Sequence, residues 1–132
     1  MSNQVQAAAL AVKESPEAFY KRISLSDSGE TSHMGGIYLH KDFAKFIFDK
    51  PGKKGTNKER IANITWYDGK KSLLCRFCYY GKGTRNEYRI TRLSRTFKAG
   101  QFVIFIKVSN DSYQGFLLEE EDISIFYSKF NQ

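Results

Sequence analysis

A chain of 132 residues with 41% hydrophobic and 15% aromatic residues can bury a core as one compact domain, which argues against a disordered or low-complexity protein. No apolar run approaches the ~20 residues that a membrane-spanning helix needs. The formal net charge of +7 admits a polyanionic partner such as nucleic acid, and equally the plain solubility of a basic surface.

Residues 1–14 are polar, then Ala-rich, and read either as a frayed helix or as a flexible lead-in. Ala7 to Val12 is a poor signal peptide, being short, with no basic residue before it and Lys13 and Glu14 after it, so a cytoplasmic protein is expected. Ser15-Pro16-Glu17 has the form of a helix start, with Ser as N-cap and Pro at the first position. Phe19, Lys21, Ile23 and Leu25 then alternate with Tyr20, Arg22 and Ser24, as a strand does. Ser26 to Gly36 is small, polar and Gly-containing, a loop before a second strand at Ile37 to Leu39. Within Lys41 to Asp49, the spacing of Phe43, Phe46 and Ile47 predicts a short helix with one apolar face.

Lys50 to Arg60, KPGKKGTNKER, sets Lys50, Lys53, Lys54, Lys58 and Arg60 against Glu59 on a Pro- and Gly-punctuated loop. A solvated loop and a phosphate-binding loop fit it equally, with Lys53 and Lys54 the candidate contacts. Ile61 to Tyr67 and Lys71 to Tyr80 predict two strands joined through Asp68-Gly69, a pair suited to a type I′ turn. Cys75 and Cys78 have C-x-x-C spacing, but three steps along a strand turn the sulfurs to opposite faces, and only His33 and His40 could complete a metal site. Two free thiols in a reducing compartment are expected, with no metal and no cofactor. Gln101 to Val108 is apolar enough for a central strand, and Phe116 to Leu118 continues the sheet after a turn. The acids of Glu119 to Asp122 then precede Ile123, Phe126 and Phe130, whose spacing predicts a helix.

The functional signal is concentrated in Gly81 to Arg95, GKGTRNEYRITRLSR, where Lys82, Arg85, Arg89, Arg92 and Arg95 face a single acid, Glu87. In an extended strand Arg85, Glu87, Arg89 and Thr91 share one face, and Asn86, Tyr88 and Ile90 the other. Arg85 to Arg89 spans roughly 13 Å at about 3.3 Å per residue, close to the ~12 Å width of a B-DNA major groove. Arginine donates bidentately to guanine O6 and N7, and glutamate accepts from cytosine N4, so the comb suits G·C-rich duplex DNA. The same side chains could form a solvated salt-bridge ladder, but a ladder would be closer to neutral.

The run G-K-x-T-R-N-E-x-R-I-T-R, with the earlier Y-K-R-I-S, D-S-G-E-T, His33 and I-Y-L, resembles the N-terminal effector domain of EcoRII-type restriction endonucleases. The match runs in order from about Phe19 to Arg95, with a weaker echo in E-E-D-I near the C-terminus. The resemblance implies a mainly β DNA-binding pseudobarrel with short helices and mixed or antiparallel strands, spanning residues 1–132 as a single recognition domain. It implies that duplex DNA with a CCWGG-like target is gripped between an N-arm, residues 26–38, and a C-arm, residues 81–95. By the same resemblance Arg85, Glu87, Arg89, His33 and Tyr38 contact bases. Arg22, Lys82, Thr84, Asn86, Tyr88, Arg92 and Arg95 stand as supporting or phosphate-facing residues. Gly83 is inserted between Lys82 and Thr84, and Tyr88 stands where the family has Lys. Cleavage would belong to a linked nuclease domain outside this chain.

Two other readings exist. A small metal-dependent nuclease could be built on Asp49 and Asp68, although no Asp followed by Glu-x-Lys is present. A single-strand or RNA binder could stack bases on Tyr79, Tyr80 and Tyr88.

Overall fold

In the computed structural model, which describes residues 3–29, 36–69 and 71–132, seven strands form one sheet. The strands are β1 (Ala18–Arg22), β2 (Ile37–Leu39), β3 (Asn57–Trp66), β4 (Ser72–Tyr80), β5 (Glu87–Thr91), β6 (Phe102–Ser109) and β7 (Ser112–Leu118). Their order is β1-β6-β7-β3-β4-β5-β2, with every pairing antiparallel except β3 with β7. Although β1 and β2 lie at opposite ends of that order, Lys21 Nζ donates to the Tyr38 carbonyl at 3.3 Å and the Phe19 ring meets Phe43 at 4.9 Å. The sheet is therefore curled into a half-barrel, the mainly β pseudobarrel that the sequence implies.

Period-2 alternation sorts the side chains of β6 between two cores. Val103 and Phe105 enter the cluster inside the curl, with Ile64, Trp66, Phe77 and Tyr88. Phe102, Ile104 and Ile106 enter a second cluster on the outer face. Helices α1 (Asn3–Glu14) and α4 (Ile123–Phe130) cover that outer face with Val5, Ala8, Ala9 and Val12 from the first, and Ile123 and Phe126 from the second. The Ala-rich opening is thus a packed helix and not a loose lead-in. Gln4 Oε1 accepts from the Leu117 amide at 3.1 Å and pins it to β7.

Several local expectations change. Ser15-Pro16 ends α1 instead of starting a helix: the Ser15 amide still donates to Ala11, and its hydroxyl accepts from the Glu17 amide at 3.2 Å. The strand that begins at Ala18 stops at Arg22, because Ser24 caps a one-turn helix, α2 (Leu25–Ser28), through a capping box with Asp27. Residues 30–35, with His33 among them, lie outside the described residues. Asp68-Gly69 is not a type I′ turn, since neither residue has positive φ, and β3 ends at Trp66 while β4 begins only at Ser72. The expected helix near Phe43 is a 3₁₀ turn, Lys41–Phe43, running into α3 (Ala44–Ile47).

The basic stretch 50–60 is not all loop. β3 starts at Asn57, and its two cations are occupied. Lys58 Nζ donates to the Lys50 carbonyl at 2.6 Å and lies over the Phe48 ring. Arg60 Nε donates to the Ile47 carbonyl, and its guanidinium stacks on Phe77 while bonding the Tyr113 hydroxyl at 2.9 Å. Their long stems serve packing while their charges find fixed partners.

Candidate nucleic-acid interface

In β5 the burial alternates, so that Tyr88 and Ile90 enter the inner core while Glu87, Arg89 and Thr91 face outward. The registers of neighbouring strands extend that outward face into a row: Glu59 of β3 opposes Cys78 of β4, Cys78 opposes Arg89, and Arg89 opposes Tyr38 of β2. Arg85 precedes the strand, on a turn closed by the Arg85 amide donating to the Lys82 carbonyl at 3.2 Å. Gly83 supplies that turn with φ +64, a conformation glycine adopts without penalty.

The comb is assembled as a charge-paired unit. Arg85 Nε and Nη2 meet Glu87 Oε1 at 2.8 and 2.7 Å, and Arg89 Nε meets Oε2 at 3.2 Å. The Arg85 guanidinium carbon also lies over the Tyr80 ring, 3.9 Å from its centroid. Partial burial pushes the Glu87 carboxyl up, but the hydrogen bond from Arg85 and the charge of Arg89 outweigh it and hold the group below its ordinary value. Glu87 is therefore ionised at neutral pH. Among the described residues Arg85 Nη1 and Arg89 Nη2 have no partner, so both guanidinium groups keep donors open to a ligand.

Arg89 is the more constrained arginine. Its Nη1 donates to the Gly36 carbonyl at 3.2 Å and lies 3.9 Å from Asp27, and its guanidinium carbon sits 5.6 Å above the Tyr38 ring. Tyr38 is 36% exposed, so the row ends in an accessible aromatic ring beside a fixed cation. Below it, buried Asp27 accepts from the Tyr38 amide and pairs with Lys21 Nζ at 2.7 Å. Sequence reasoning missed both Asp27 and Lys21. The capping pattern Ser24-x-x-Asp27 was a signal for the helix start, but not for the reach into β2.

Lys54 is exposed, yet its ammonium has fixed partners. Its Nζ donates to the Gly81 carbonyl at 2.9 Å and the Gly83 carbonyl at 2.5 Å, and Asn57 Oδ1 accepts from the Gly81 and Lys82 amides, so loop 50–56 and β3 brace the C-arm turn. Glycine is required beneath the turn, because a Cβ at Gly52 or Gly81 would overlap the Tyr79 ring. Asn86 accepts from the Tyr79 hydroxyl at 2.7 Å. Tyr88, named above as a supporting residue, is buried at 4% and its hydroxyl accepts from the Gly52 amide, which places it in the core and not on the Arg89 face. With Tyr79 also buried, the trio proposed for base stacking offers only Tyr80, and Arg85 covers its ring.

Lys53, Lys82, Thr84 and Arg92 are exposed, and Arg92 takes φ 57. Arg22 pairs with Glu120 at 3.0 Å, and Arg95 stacks on Trp66 while clamping both oxygens of Asp68. That clamp, chiefly through its hydrogen bond, holds the Asp68 carboxyl below its ordinary value. Asp68 and Asp49 lie at opposite ends of β3 and do not form one site. Among the described residues no three His, Cys, Asp or Glu side chains group as a metal site, and no helix is long and apolar enough to cross a membrane. Cys75 faces the inner core, and burial pushes its thiol up to about 11, whereas Cys78 lies on the outer face beside Thr91.

The resemblance to known proteins agrees with this geometry. The B3 domain of the UbaLAI restriction endonuclease, solved with cognate DNA, has a TM-score of 0.62 at 18% identity, covering 97% of this chain and 89% of that one. The N-terminal domain of Helicobacter pylori LlaJI.R1 has a TM-score of 0.54 at 11% identity, covering 85% of this chain and 97% of that one. No curated protein matches the sequence. A family model, that of the N-terminal domain of restriction endonuclease EcoRII, matches residues 12–102, well over half of the chain. This chain belongs to the family of EcoRII-type restriction endonuclease N-terminal domains.

Proposed function

We propose that the domain binds duplex DNA sequence-specifically, with a CCWGG-like target, and serves as the recognition module of a restriction endonuclease whose cleavage is performed by a linked catalytic domain. Such a role belongs in the cytoplasm. The observation that carries the reading is the Glu87 carboxylate strung between Arg85 and Arg89 on one outward face, each arginine retaining an open nitrogen. Two donors flanking one acceptor match guanines flanking a cytosine in the major groove. The family membership and the cognate-DNA complex of the UbaLAI B3 domain support the same reading. Tyr38 and His33 contribute from the N-arm, while Lys53, Lys82 and Arg92 supply exposed charge for phosphates.

Selection from a random duplex library tests this. A G·C-containing consensus close to CCWGG is expected, with the duplex left uncut when Mg²⁺ is added. Recovery without any consensus, or preferential capture of single strands, would overturn it.

A further inference from the structure

Asp27 is the only charged side chain that the fold buries among the described residues, at 1% exposure. A buried carboxylate is costly unless each oxygen is satisfied, so its partners show what it is for. Oδ2 accepts from the Ser24 amide at 3.1 Å and pairs with Lys21 Nζ at 2.7 Å. Oδ1 leaves the helix cap altogether: it accepts from the Tyr38 amide at 3.0 Å and lies 3.9 Å from Arg89 Nη1. Among the described residues β2 is a three-residue edge strand paired only with β5, too short to hold its place by ladder hydrogen bonds alone. The Gly36 carbonyl just before it accepts from Arg89 Nη1 at 3.2 Å. Fixing β2 therefore fixes the arginine.

We propose that Asp27 is a positioning residue that couples the N-arm to Arg89, setting base specificity without touching DNA. The inference rests on the duplex-DNA reading above. Loss of the carboxylate leaves Glu87 as the one acid beside Arg89 and loosens the β2 edge that carries the Gly36 carbonyl. Arg89 remains a cation attracted to any phosphate but loses the orientation that a bidentate guanine contact needs. Specific and random binding then respond with opposite sign, since one negative charge near the DNA has also been removed.

The wild-type protein is measured first on its selected duplex and on random duplex. Absence of any preference there refutes the DNA reading itself and is distinct from failure of the coupling. Asp27→Asn is then expected to lower the ratio of selected to random affinity by about tenfold, at the guanine that Arg89 reads, with random-duplex affinity unchanged or raised. Ser24→Ala breaks the same capping box from its other side and should leave that ratio intact. Combining Asp27→Asn with Arg89→Ala should lower selectivity no further than Arg89→Ala alone. An unchanged ratio in Asp27→Asn, or an equal loss in Ser24→Ala, would overturn the proposal. Should Asp27→Asn not fold, the Asp27 carboxyl carbon resonance is compared between wild type and Arg89→Gln. A shift is expected, and an unmoved resonance would overturn the coupling.

Discussion

Arg85 and Arg89 carry the same charge beside the same carboxylate, yet they are held differently. The Arg89 side chain is 16% exposed and fixed by Glu87, Gly36 and Asp27, whereas Arg85 is 41% exposed and rests on Glu87 and Tyr80. A preorganised arginine loses less freedom on binding, so Arg89→Ala should cost more on the selected duplex than Arg85→Ala, within roughly 1–3 kcal/mol for each, as measured by titration. Glu87 gives a pH test. Its carboxyl is held below the ordinary 4.5, so its pairing stabilises the fold above that pH and is lost as pH falls through the lower folded value. The stability difference between wild type and Glu87→Gln should accordingly be flat from neutral pH to about pH 5 and shrink below pH 4.5. Cys75 and Cys78, at 0% and 1% exposure, should resist alkylation in the native protein and react only on unfolding. The outward pair Glu87 and Arg89 was legible because strand alternation is strictly local, whereas Arg85 precedes the strand and reaches Glu87 from a turn. Asp27 was not, because its role depends on β2 folding back over it.

At the scale of elements, the C-arm is a turn braced from beneath. Lys54 places a cation among the Gly81 and Gly83 carbonyls, so Lys54→Met should weaken selected-duplex binding by about 1 kcal/mol, with no change in salt dependence. Lys53→Met, from an exposed neighbour, should instead flatten the salt dependence by about 0.9 log unit if Lys53 contacts phosphate. A flattened slope in Lys54→Met would return that residue to the DNA surface. The charge run 50–60 gave no sign of this, since composition does not distinguish a cation facing water from one capping carbonyls. The start of β3 was hidden for a related reason: Lys58 and Arg60 read as loop charges, but their stems lie on Phe48 and Phe77. Hairpin partners β3 and β4 were legible from the Asp68-Gly69 signal between two strand-like runs, although the connection departs from the type I′ form that this pair suggests, and Arg95 holds Asp68 from outside the hairpin.

Across the whole molecule, the aromatic-rich alternating strands made a mainly β fold legible, and the ordered motifs pointed to its family. Closure of the sheet was implied by the family resemblance and by no local pattern, because Lys21 meets Tyr38 only after seven strands have curled. That closure brings Asp27, Tyr38, Arg89 and Glu87 together, so that α2, β2 and β5 share one charge-paired surface on a molecule of net charge +7. The Glu87→Ala variant on paired duplexes, selected and random, tests most directly whether this surface reads bases. Simple electrostatics requires that removing a negative charge near phosphates tighten both duplexes alike. Base readout predicts weaker binding to the selected duplex, with tolerance of substitution at one C·G pair, while random-duplex affinity holds or rises. Equal tightening on both duplexes would make Glu87 a salt-bridge partner only and contradict recognition through the comb.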